Sequence, residues 1–358
     1  MKKKILVSTG GSGGHVIPAT IIYEHLKNEF DVLLTIDKRG IKFINLQKYN
    51  FTIIDTPKIT KNFLKLPVIF FCFILLTIKS FIFLKKKNID ILISTGGYMS
   101  LPLVVAAKIL NKKIYLFEPN MVIGRANNFF LKYSKKIFCY SDEIINFPKK
   151  YINKIELIDH LLRKEFYLIK KNNKIYLNEE IKLLIIGGSQ GAKLFDNELK
   201  KTIIDISKKY KLKVFHQVAS LKKNDLENFY KENKIHHNLF SFEENILDII
   251  NDTNLCITRA GASTLAELVF LNVPFIAIPY PLAKDDHQFQ NAEFYKKRDS
   301  CWMLKQDEIK DKVLTNYLLN IIEDKNDYLT KEKNMKKISY QNTWNKINQK
   351  LVRTINEN

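Results

Sequence analysis

Short apolar runs alternate with longer segments of helical periodicity along most of the chain. In the first half, the apolar runs predict strands at residues 4–8, 31–36, 51–55, 89–94, 113–117 and 136–139. A second series predicts strands at residues 181–186, 212–217, 239–240, 254–258 and 274–278. Strands that alternate with helices are typical of parallel sheets covered by helices. The pattern therefore predicts an α/β protein with two doubly wound, Rossmann-like domains that face a cleft.

The length supports two domains, because 358 residues exceed what one hydrophobic core usually contains. Residues 149–178 have weak periodicity and many lysines, which is typical of a junction. We therefore expect a first domain at 1–160 and a second domain at 161–340. The tail from residue 328 onward predicts a long helix, and we expect residues 341–358 to pack back on the first domain.

The first glycine-rich turn, residues 10–15, lies between a predicted strand and a predicted helix at 16–26 that has Pro18 in its first turn. Glycines let the backbone turn sharply and present N–H groups beside a helix dipole, which suits a phosphate or diphosphate. His15 adds a side chain that can carry a proton near neutral pH. The turn lacks the ending of a P-loop and the third glycine of a dinucleotide fingerprint. Asp37, at the end of the second strand, still leaves a nicotinamide-dependent enzyme open as an alternative.

Two more glycine loops, at residues 187–193 and 259–268, each follow a predicted strand. In the later loop, small residues at a helix start let a diphosphate approach the N–H groups, and Ser263 and Thr264 add donors. Glu267 lies one turn further on, where a carboxylate can accept hydrogen bonds from ribose hydroxyls. The segment after it that reads DDHQFQNA is rich in groups that bind sugar hydroxyls. For each helix start taken alone, an ordinary cap is an equally simple interpretation.

Charge and cysteine content limit the partners. The chain has 58 basic and 37 acidic residues, a formal net charge of +21. The lysines are scattered and no RNA-binding aromatic motif is present, so we expect no nucleic-acid partner and attribute the charge to compositional bias, with part of it serving a membrane. The four cysteines are far apart, which indicates buried thiols in a reducing compartment. The N-terminus runs straight into the first strand, so we expect no signal peptide.

One strongly apolar segment, residues 64–87, ends in three consecutive lysines. Its length approaches the ~20 apolar residues of a transmembrane helix. However, Lys65 and Lys79 interrupt it, and a strand that must join the first sheet follows at once. A spanning helix would split the first domain. Two interpretations remain open: an interfacial helix that lies on anionic lipid, and a helix of the domain core.

Six stretches together resemble the GT-B glycosyltransferases, and among them glycosyltransferase family 28. They are GGSGGHVIPA at 10, STGGYMSLP at 94, FEPN at 117, GGSQGA at 187, RAGASTLAEL at 259 and DDHQFQNA at 285. The resemblance implies inverting transfer of N-acetylglucosamine from UDP-N-acetylglucosamine to undecaprenyl-diphosphate-linked N-acetylmuramyl-pentapeptide in peptidoglycan synthesis. It also implies a peripheral protein on the cytoplasmic face of the bacterial cell membrane, with the donor bound mainly by the second domain and the acceptor by the first. It implies no cofactor and no metal, and the sequence has no Asp-x-Asp motif.

Carried over position by position, the resemblance makes His15 the candidate general base for the acceptor hydroxyl. The substrate-binding residues that it implies are Ser12, Gly13, Gly14, Asn120, Arg163, Ser189, Ala262, Ser263, Thr264, Leu265, Ala266, Glu267 and Gln288. Asn120 would contact the N-acetylglucosamine, and Gln288 the sugar hydroxyls. Arg163 and Ser189 would hold the diphosphate, and residues 262–267 both diphosphate and ribose. The residues of the first glycine turn would line the site of the donor sugar and the acceptor diphosphate.

Two departures of the chain from the family pattern change candidate contacts, whereas a third, Ser12 for the usual threonine, keeps the hydroxyl. Residues 117–119 read Phe-Glu-Pro where the family often has His-Glu-Gln, and residues 159–163 read Asp-His-Leu-Leu-Arg where it tends to Gly-Asn-Pro-Val/Ile-Arg. Three alternatives stay open: a GT-B enzyme that uses UDP-N-acetylglucosamine with a non-lipid acceptor, an epimerase, and a non-catalytic module that binds at the membrane. The presence of His15, Glu267 and Gln288 argues against the last of these.

Overall fold

The computed structural model describes residues 2–56, 66–172, 176–177, 180–187, 193–218, 223–241, 246–309 and 312–357. It divides the chain into two compact units, one formed by Met1–Arg163 with Thr343–Asn358 and the other by Lys164–Asn342. Each unit is built on one sheet whose neighbouring strands all run parallel. The predicted α/β class with two Rossmann-like sheets is confirmed.

In its described residues, the first unit contains a sheet of seven strands and a set of covering helices. The strands are β1 (Lys4–Ser8), β2 (Asp31–Ile36), β3 (Phe51–Ile53), β4 (Ile91–Ser94), β5 (Lys113–Glu118), β6 (Lys136–Cys139) and β7 (Ile155–Leu157). The helices that alternate with them are α1 (Gly13–Leu26), α2 (Leu66–Lys86), α3 (Leu101–Ile109) and α4 (Arg125–Phe130). The strand order is β3-β2-β1-β4-β5-β6-β7.

The centre of this sheet is also its topological switch point. β1 is paired with β2 on one side and with β4 on the other, so that Leu6 lies between Leu33 and Leu92. Leu6 and Leu92 are fully buried, as expected where helices cover both faces of a parallel sheet. At such a point the connections leave in opposite directions and open a crevice beyond the carboxyl ends of the two strands. The residues that follow β1 and β4 therefore line this crevice.

The second unit repeats the plan, with six strands in the part that the structure describes. The strands are β8 (Ile181–Ile186), β9 (Leu212–Gln217), β10 (His236–Phe240), β11 (Leu255–Thr258), β12 (Phe275–Ala277) and β13 (Trp302–Met303). The helices are α5 (Lys164–Leu168), α6 (Lys193–Ser207), α7 (Lys223–Glu232), α8 (Ile246–Asp252), α9 (Ala262–Phe270), α10 (His287–Lys296), α11 (Val313–Glu323) and α12 (Lys325–Ser339). The order β10-β9-β8-β11-β12-β13 places a second switch point between β8 and β11.

The last helix, α13 (Trp344–Glu357), packs against α1 in the first unit. Its buried apolar side chains are spaced by four residues, namely Ile347, Leu351 and Ile355. The ring of Trp344 stacks on that of His25 with centroids 3.6 Å apart. Burial lowers the pKa of His25 to about 3, so this ring is neutral at physiological pH. The single long helix predicted from residue 328 is wrong, because α12 ends at Ser339 and α13 is a separate helix.

Candidate functional site

Two loops lie side by side at the switch point of the first sheet. Residues 9–15 follow β1, and residues 95–98 follow β4. The Thr95 hydroxyl donates to the Thr9 hydroxyl over 2.9 Å, and the Thr95 N–H donates to the Ser8 carbonyl over 3.1 Å. The sequence motifs at 10 and 94 are therefore brought together at the sheet edge where α/β proteins bind ligands.

His15 lies in the first turn of α1, and its ring faces the loop after β4. Its Nδ1 lies 2.8 Å from the Thr95 carbonyl oxygen. Since a carbonyl only accepts, Nδ1 carries the proton in this contact, and the lone pair of the neutral ring is on Nε2. Gly96 has a φ of +89°, and a Cβ on it would lie 3.5 Å from His15 Cε1. The ring is thus held in one orientation, as a general base requires.

Asp37 serves the fold of this turn and not a cofactor. Its side chain is fully buried and accepts hydrogen bonds from the N–H groups of Gly11 and Gly40 at 2.8 and 2.9 Å. Arg39 Nε donates to the same carboxylate over 2.6 Å. The alternative in which Asp37 binds the ribose of a nicotinamide cofactor is therefore wrong. The Gly11 N–H, expected to be open to an anion, is occupied by Asp37.

Within this turn, the start of α1 is the part whose N–H groups can bind an anion. The helix begins at Gly13, not at the predicted residue 16, which places Pro18 in its second turn. The N–H groups of His15 and Val16 donate to the Ser12 carbonyl over 3.0 and 3.1 Å, so in the first turn only those of Gly13 and Gly14 have no preceding carbonyl to bond within the helix. Gly14 is exposed and Ser12 is half-buried, whereas Gly13 is buried. The anion site inferred from the glycine turn thus narrows to the residues around Gly14.

Asn120 lies in the loop after β5, where a buried carboxylate fixes it. Glu118 ends β5 and is only 3% exposed. Its Oε1 accepts from the backbone and side-chain N–H groups of Asn120 at 3.2 and 2.9 Å. Its Oε2 accepts from the Gly124 N–H at 2.8 Å and from Asn127 Nδ2 at 3.0 Å. The sequence motifs give Glu118 no role, although a charge at the end of an apolar strand is a signal for one.

At the second switch point, the structure describes the loop after β11 but not most of the loop after β8. Ser189, with the glycine loop after β8, lies outside the described residues. On the other side, α9 starts directly after the loop that follows β11, with Gly261 as its N-cap. Among the described residues, no heavy atom outside Gly261 and its two chain neighbours lies within 4 Å of where a Cβ on Gly261 would be. The amino end of α9, with its positive dipole end, therefore opens onto space that a ligand could fill.

Only part of the predicted stretch 262–267 lines this open end. The three residues that open α9 are half-buried, namely Ala262, Ser263 and Thr264. Leu265 and Ala266 are 0% and 2% exposed, so their side chains belong to the core. The Leu265 N–H donates to the Gly261 carbonyl over 3.0 Å and is used within the helix. Glu267, in the second turn, is 9% exposed.

Gln288 and Arg259 both act on the loop after β12. The side-chain oxygen of Gln288, at the start of α10, accepts from the Tyr280 N–H over 2.9 Å, so its amide nitrogen is the end that can donate to a ligand. Arg259 donates to the carbonyls of Ile278 and Pro279 at 3.1 and 3.2 Å. Burial lowers the pKa of Arg259 to about 10. This arginine is a structural cation that ties the ends of β11 and β12 together.

Arg163 is half-buried and directly precedes α5. The altered residues before it pack around one tyrosine: the Leu161 N–H donates to the Tyr140 hydroxyl over 3.1 Å. The His160 ring lies 4.4 Å from the ring of Tyr140. The departure from the family pattern at 159–163 is therefore accommodated by local packing that leads into Arg163.

Neither a metal cluster nor a disulfide appears in the described part of the chain. No group of three or more His, Cys, Asp or Glu side chains there could hold a metal ion. The four cysteines are free thiols; Cys139, Cys256 and Cys301 are buried and Cys72 is half-buried. Burial raises the pKa of the Cys301 thiol to about 12, which keeps it protonated and unreactive at neutral pH.

Helix α2 exposes most of its apolar surface. Ser80 and Leu84 are buried on the side that faces α3. On the outer side, large apolar residues are 41–68% exposed, namely Val68, Phe70, Phe71, Ile74, Leu75, Ile78 and Ile82. By length and composition, Pro67–Lys86 is long and apolar enough to cross a membrane, and only 11% of its most apolar window is buried. The interpretation of residues 64–87 as a core helix is therefore wrong for the part that the structure describes.

Comparisons with known proteins cover both units. A model of the glycosyltransferase family 28 N-terminal domain matches residues 5–139, and a model of the glycosyltransferase family 28 C-terminal domain matches residues 182–349. The chain is 55% identical, over 100% of both chains, to the UDP-N-acetylglucosamine–N-acetylmuramyl-(pentapeptide) pyrophosphoryl-undecaprenol N-acetylglucosamine transferase of Pelagibacter ubique (strain HTCC1062). It is 33% identical to the protein of the same name from Wolbachia sp. subsp. Brugia malayi (strain TRS), over 94% of this chain and 95% of that one. The crystal structure of Acinetobacter baumannii MurG matches with a TM-score of 0.76 and 20% identity over 99% of both chains, which supports the fold.

Proposed function

Because the chain belongs to glycosyltransferase family 28, we propose that it transfers N-acetylglucosamine from UDP-N-acetylglucosamine to undecaprenyl-diphosphate-linked N-acetylmuramyl-pentapeptide. The observation that carries this conclusion is the 55% identity, over the full length of both chains, to a protein named for that reaction. The reaction converts lipid I to lipid II. Lipid II is a precursor of peptidoglycan, on which cell shape and division depend.

The chemistry is a displacement at the anomeric carbon with inversion. The acceptor hydroxyl oxygen forms a bond to that carbon, and the bond from the carbon to the UDP oxygen breaks. UDP leaves with the electron pair, and the hydroxyl proton passes to Nε2 of His15. The contact between Nδ1 and the Thr95 carbonyl supports this role, because it keeps the accepting nitrogen on the other side of the ring and stabilises the cation that forms.

The donor's diphosphate is assigned to the amino end of α9. N–H groups at a helix start and the dipole behind them favour an anion, and they stabilise the charge that develops on departing UDP. The hydroxyls of Ser263 and Thr264 add donors, and the backbone of Ala262, Leu265 and Ala266 shapes the helix start.

Glu267 would accept from the ribose hydroxyls and Gln288 would donate to a sugar hydroxyl. Ser189 and Arg163 would add donors to the diphosphate.

Replacing Glu267 with alanine is expected to weaken UDP binding by about 10- to 100-fold, because a hydrogen bond to a charged acceptor contributes about 1.5–3 kcal/mol. Isothermal titration calorimetry with UDP measures the change. Glu232→Ala, an exposed glutamate at the end of α7, serves as the matched control and should bind UDP like the wild type. Equal affinity for UDP in both variants would contradict the ribose assignment.

The acceptor is assigned to the first unit. Ser12, Gly13 and Gly14 offer a hydroxyl and helix-start N–H groups to a diphosphate, next to the candidate base. In the loop after β5, Glu118 holds Asn120, which would contact the N-acetylglucosamine that is transferred from the donor. Both groups lie at the carboxyl edge of the first sheet, which supports a shared role there.

We further propose that the outer face of α2 binds the cytoplasmic surface of the cell membrane as a peripheral anchor. An apolar helix face flanked by lysines is typical of interfacial binding to anionic lipid. Exposed Phe70 and Phe71 supply the apolar contact, and Lys85, Lys86 and Lys87 follow at the carboxyl end. Burying such a face in the headgroup region removes apolar area that is otherwise in contact with water. Because the proposed acceptor is linked to a membrane lipid, the protein must reach the membrane surface to use it.

Replacing Lys85, Lys86 and Lys87 together with glutamine is expected to reduce co-sedimentation with anionic vesicles. Each lysine near an anionic surface contributes about 1 kcal/mol, so the apparent affinity should fall by roughly 100-fold at low salt. The control replaces Lys208, Lys209 and Lys211 with glutamine. These lysines are exposed in the second unit, so the control removes the same charge from a different surface. Unchanged co-sedimentation of the first variant, or an equal loss in the control, would contradict the assignment to α2.

Acceptor class is tested by release of UDP from UDP-N-acetylglucosamine. We expect release with lipid-linked muramyl-pentapeptide in detergent or vesicles and none with the same peptide-sugar lacking the lipid diphosphate. Equal release with the lipid-free acceptor would favour a GT-B enzyme with a soluble acceptor. Conversion of the donor to an epimeric UDP-sugar without any acceptor would favour an epimerase.

A further inference from the structure

Three side chains outside the assigned site connect the turn that carries His15 with the loop after β4. The first is Asp37, at the end of β2, whose Oδ1 holds the Gly11 N–H over 2.8 Å. A Cβ on Gly10 would lie 2.6 Å from that oxygen, so the turn can approach Asp37 only because residue 10 is glycine. The turn that carries His15 is therefore fastened to β2 through a buried carboxylate.

Arg39 extends this connection to the loop after β4. Its Nε donates to Asp37 Oδ2 over 2.6 Å, and a second guanidinium nitrogen forms an ion pair with the same oxygen. Its Nη1 donates to the Tyr98 hydroxyl. The guanidinium carbon also lies 4.9 Å from the centre of the Tyr98 ring, within the range of a cation–π contact. Arg39 thus contacts both loops through the two flanking side chains.

Together with the contact from His15 to Thr95, these bonds close a ring. From Gly11 the path runs through Asp37, Arg39 and Tyr98, and then along the backbone from 98 to Thr95. From Thr95 it returns through the Nδ1 bond to His15 and along the turn to Gly11. A planar guanidinium with several fixed donors suits this two-sided contact, whereas a lysine could make only part of it.

We propose that Arg39 is a positioning residue for His15, acting through Asp37 and Tyr98. The inference deepens the proposed function, on which it rests, because it states how the candidate base is held against the acceptor. Displacing a catalytic group by about 1 Å lowers turnover by roughly 100-fold even when the change is distant from the chemistry. Because the residues assigned to UDP belong to the second unit, apart from Arg163, loss of Arg39 should lower kcat and leave the affinity for UDP unchanged.

The test replaces Arg39 with methionine, which keeps the length of the side chain and removes its donors. We expect kcat to fall by about 10- to 100-fold, with the affinity for UDP unchanged. Tyr98→Phe removes only the hydroxyl that Arg39 contacts, and a fall in kcat of about fivefold is expected from one lost hydrogen bond. Arg39→Lys should recover part of the activity. The matched control is Lys38→Met, an adjacent residue whose side chain is 73% exposed, and it should keep wild-type kcat.

Hydrogen exchange provides a readout that is independent of turnover. In Arg39→Met and in Tyr98→Phe, exchange should accelerate in peptides covering residues 9–16 and 95–99 and stay unchanged in the second unit. Uniform acceleration would identify a merely structural role and overturn the proposal. Wild-type kcat in both variants would also overturn it. Absence of transfer by the wild type would refute the proposed function instead, while the exchange measurement would still decide whether the contacts hold the turn.

Discussion

Replacing His15 with alanine is expected to lower kcat for N-acetylglucosamine transfer by about 100- to 10,000-fold, the range for removal of a general base. The reason is that the acceptor hydroxyl then has no positioned group to take its proton as the bond to the anomeric carbon forms. Affinity for UDP should not change, because the residues assigned to UDP belong to the second unit, apart from Arg163, which lies outside the turn that carries His15. Steady-state kinetics and calorimetric titration with UDP measure the two quantities.

A histidine that is exposed on β10 supplies the control for this experiment. His236→Ala removes the same side chain from a surface position and should retain wild-type kcat. Undiminished turnover in His15→Ala would remove the general-base assignment and leave the proposed reaction intact. A parallel loss of UDP affinity would show that the substitution disturbs more than proton transfer.

Replacing Glu118 with glutamine is expected to lower the free energy of unfolding of the first unit by about 3 kcal/mol, since hydrogen bonds to a charged group contribute about 1.5–3 kcal/mol each. The native carboxylate accepts two hydrogen bonds on each oxygen. An amide of the same size replaces one of these oxygens with an NH₂ group. The two N–H groups that donate to that oxygen would then face another donor. The loop that carries Asn120 should loosen with it. Urea denaturation followed by fluorescence measures the stability.

The exposed Glu29, in the same unit, permits the same chemical change without burial. Glu29→Gln should leave the free energy of unfolding within experimental error of the wild type. Equal stability of Glu118→Gln and Glu29→Gln would show that the buried carboxylate does not hold the loop after β5. Lower turnover of Glu118→Gln together with full stability would assign Glu118 to the chemistry itself.

The central strands could be predicted because their apolar runs are continuous. β1, β2, β6, β8 and β9 lie at the expected residues, since a strand buried on both faces has few polar positions. The apolar pattern does not predict β7 and β13. They contain three and two residues, too few for any period to appear, and they lie at sheet edges.

Polar residues at strand ends show why the site was only partly predictable. The sequence places Asp37 and Glu118 at the ends of strands, but it does not tell whether a carboxylate faces a ligand or the backbone of a neighbouring loop. That depends on contacts between distant segments, such as Gly11 with Asp37. Likewise Phe70 and Leu84 are equally apolar in the sequence, whereas 68% of one side chain and none of the other is exposed.

The most direct test of the account is mass spectrometry of the reaction with purified wild-type protein, UDP-N-acetylglucosamine and undecaprenyl-diphosphate-linked muramyl-pentapeptide in anionic vesicles. The proposed reaction gives a lipid product that is heavier by one N-acetylhexosamine, with one UDP released per product. A protein that binds UDP but leaves the mass of the lipid acceptor unchanged would contradict it.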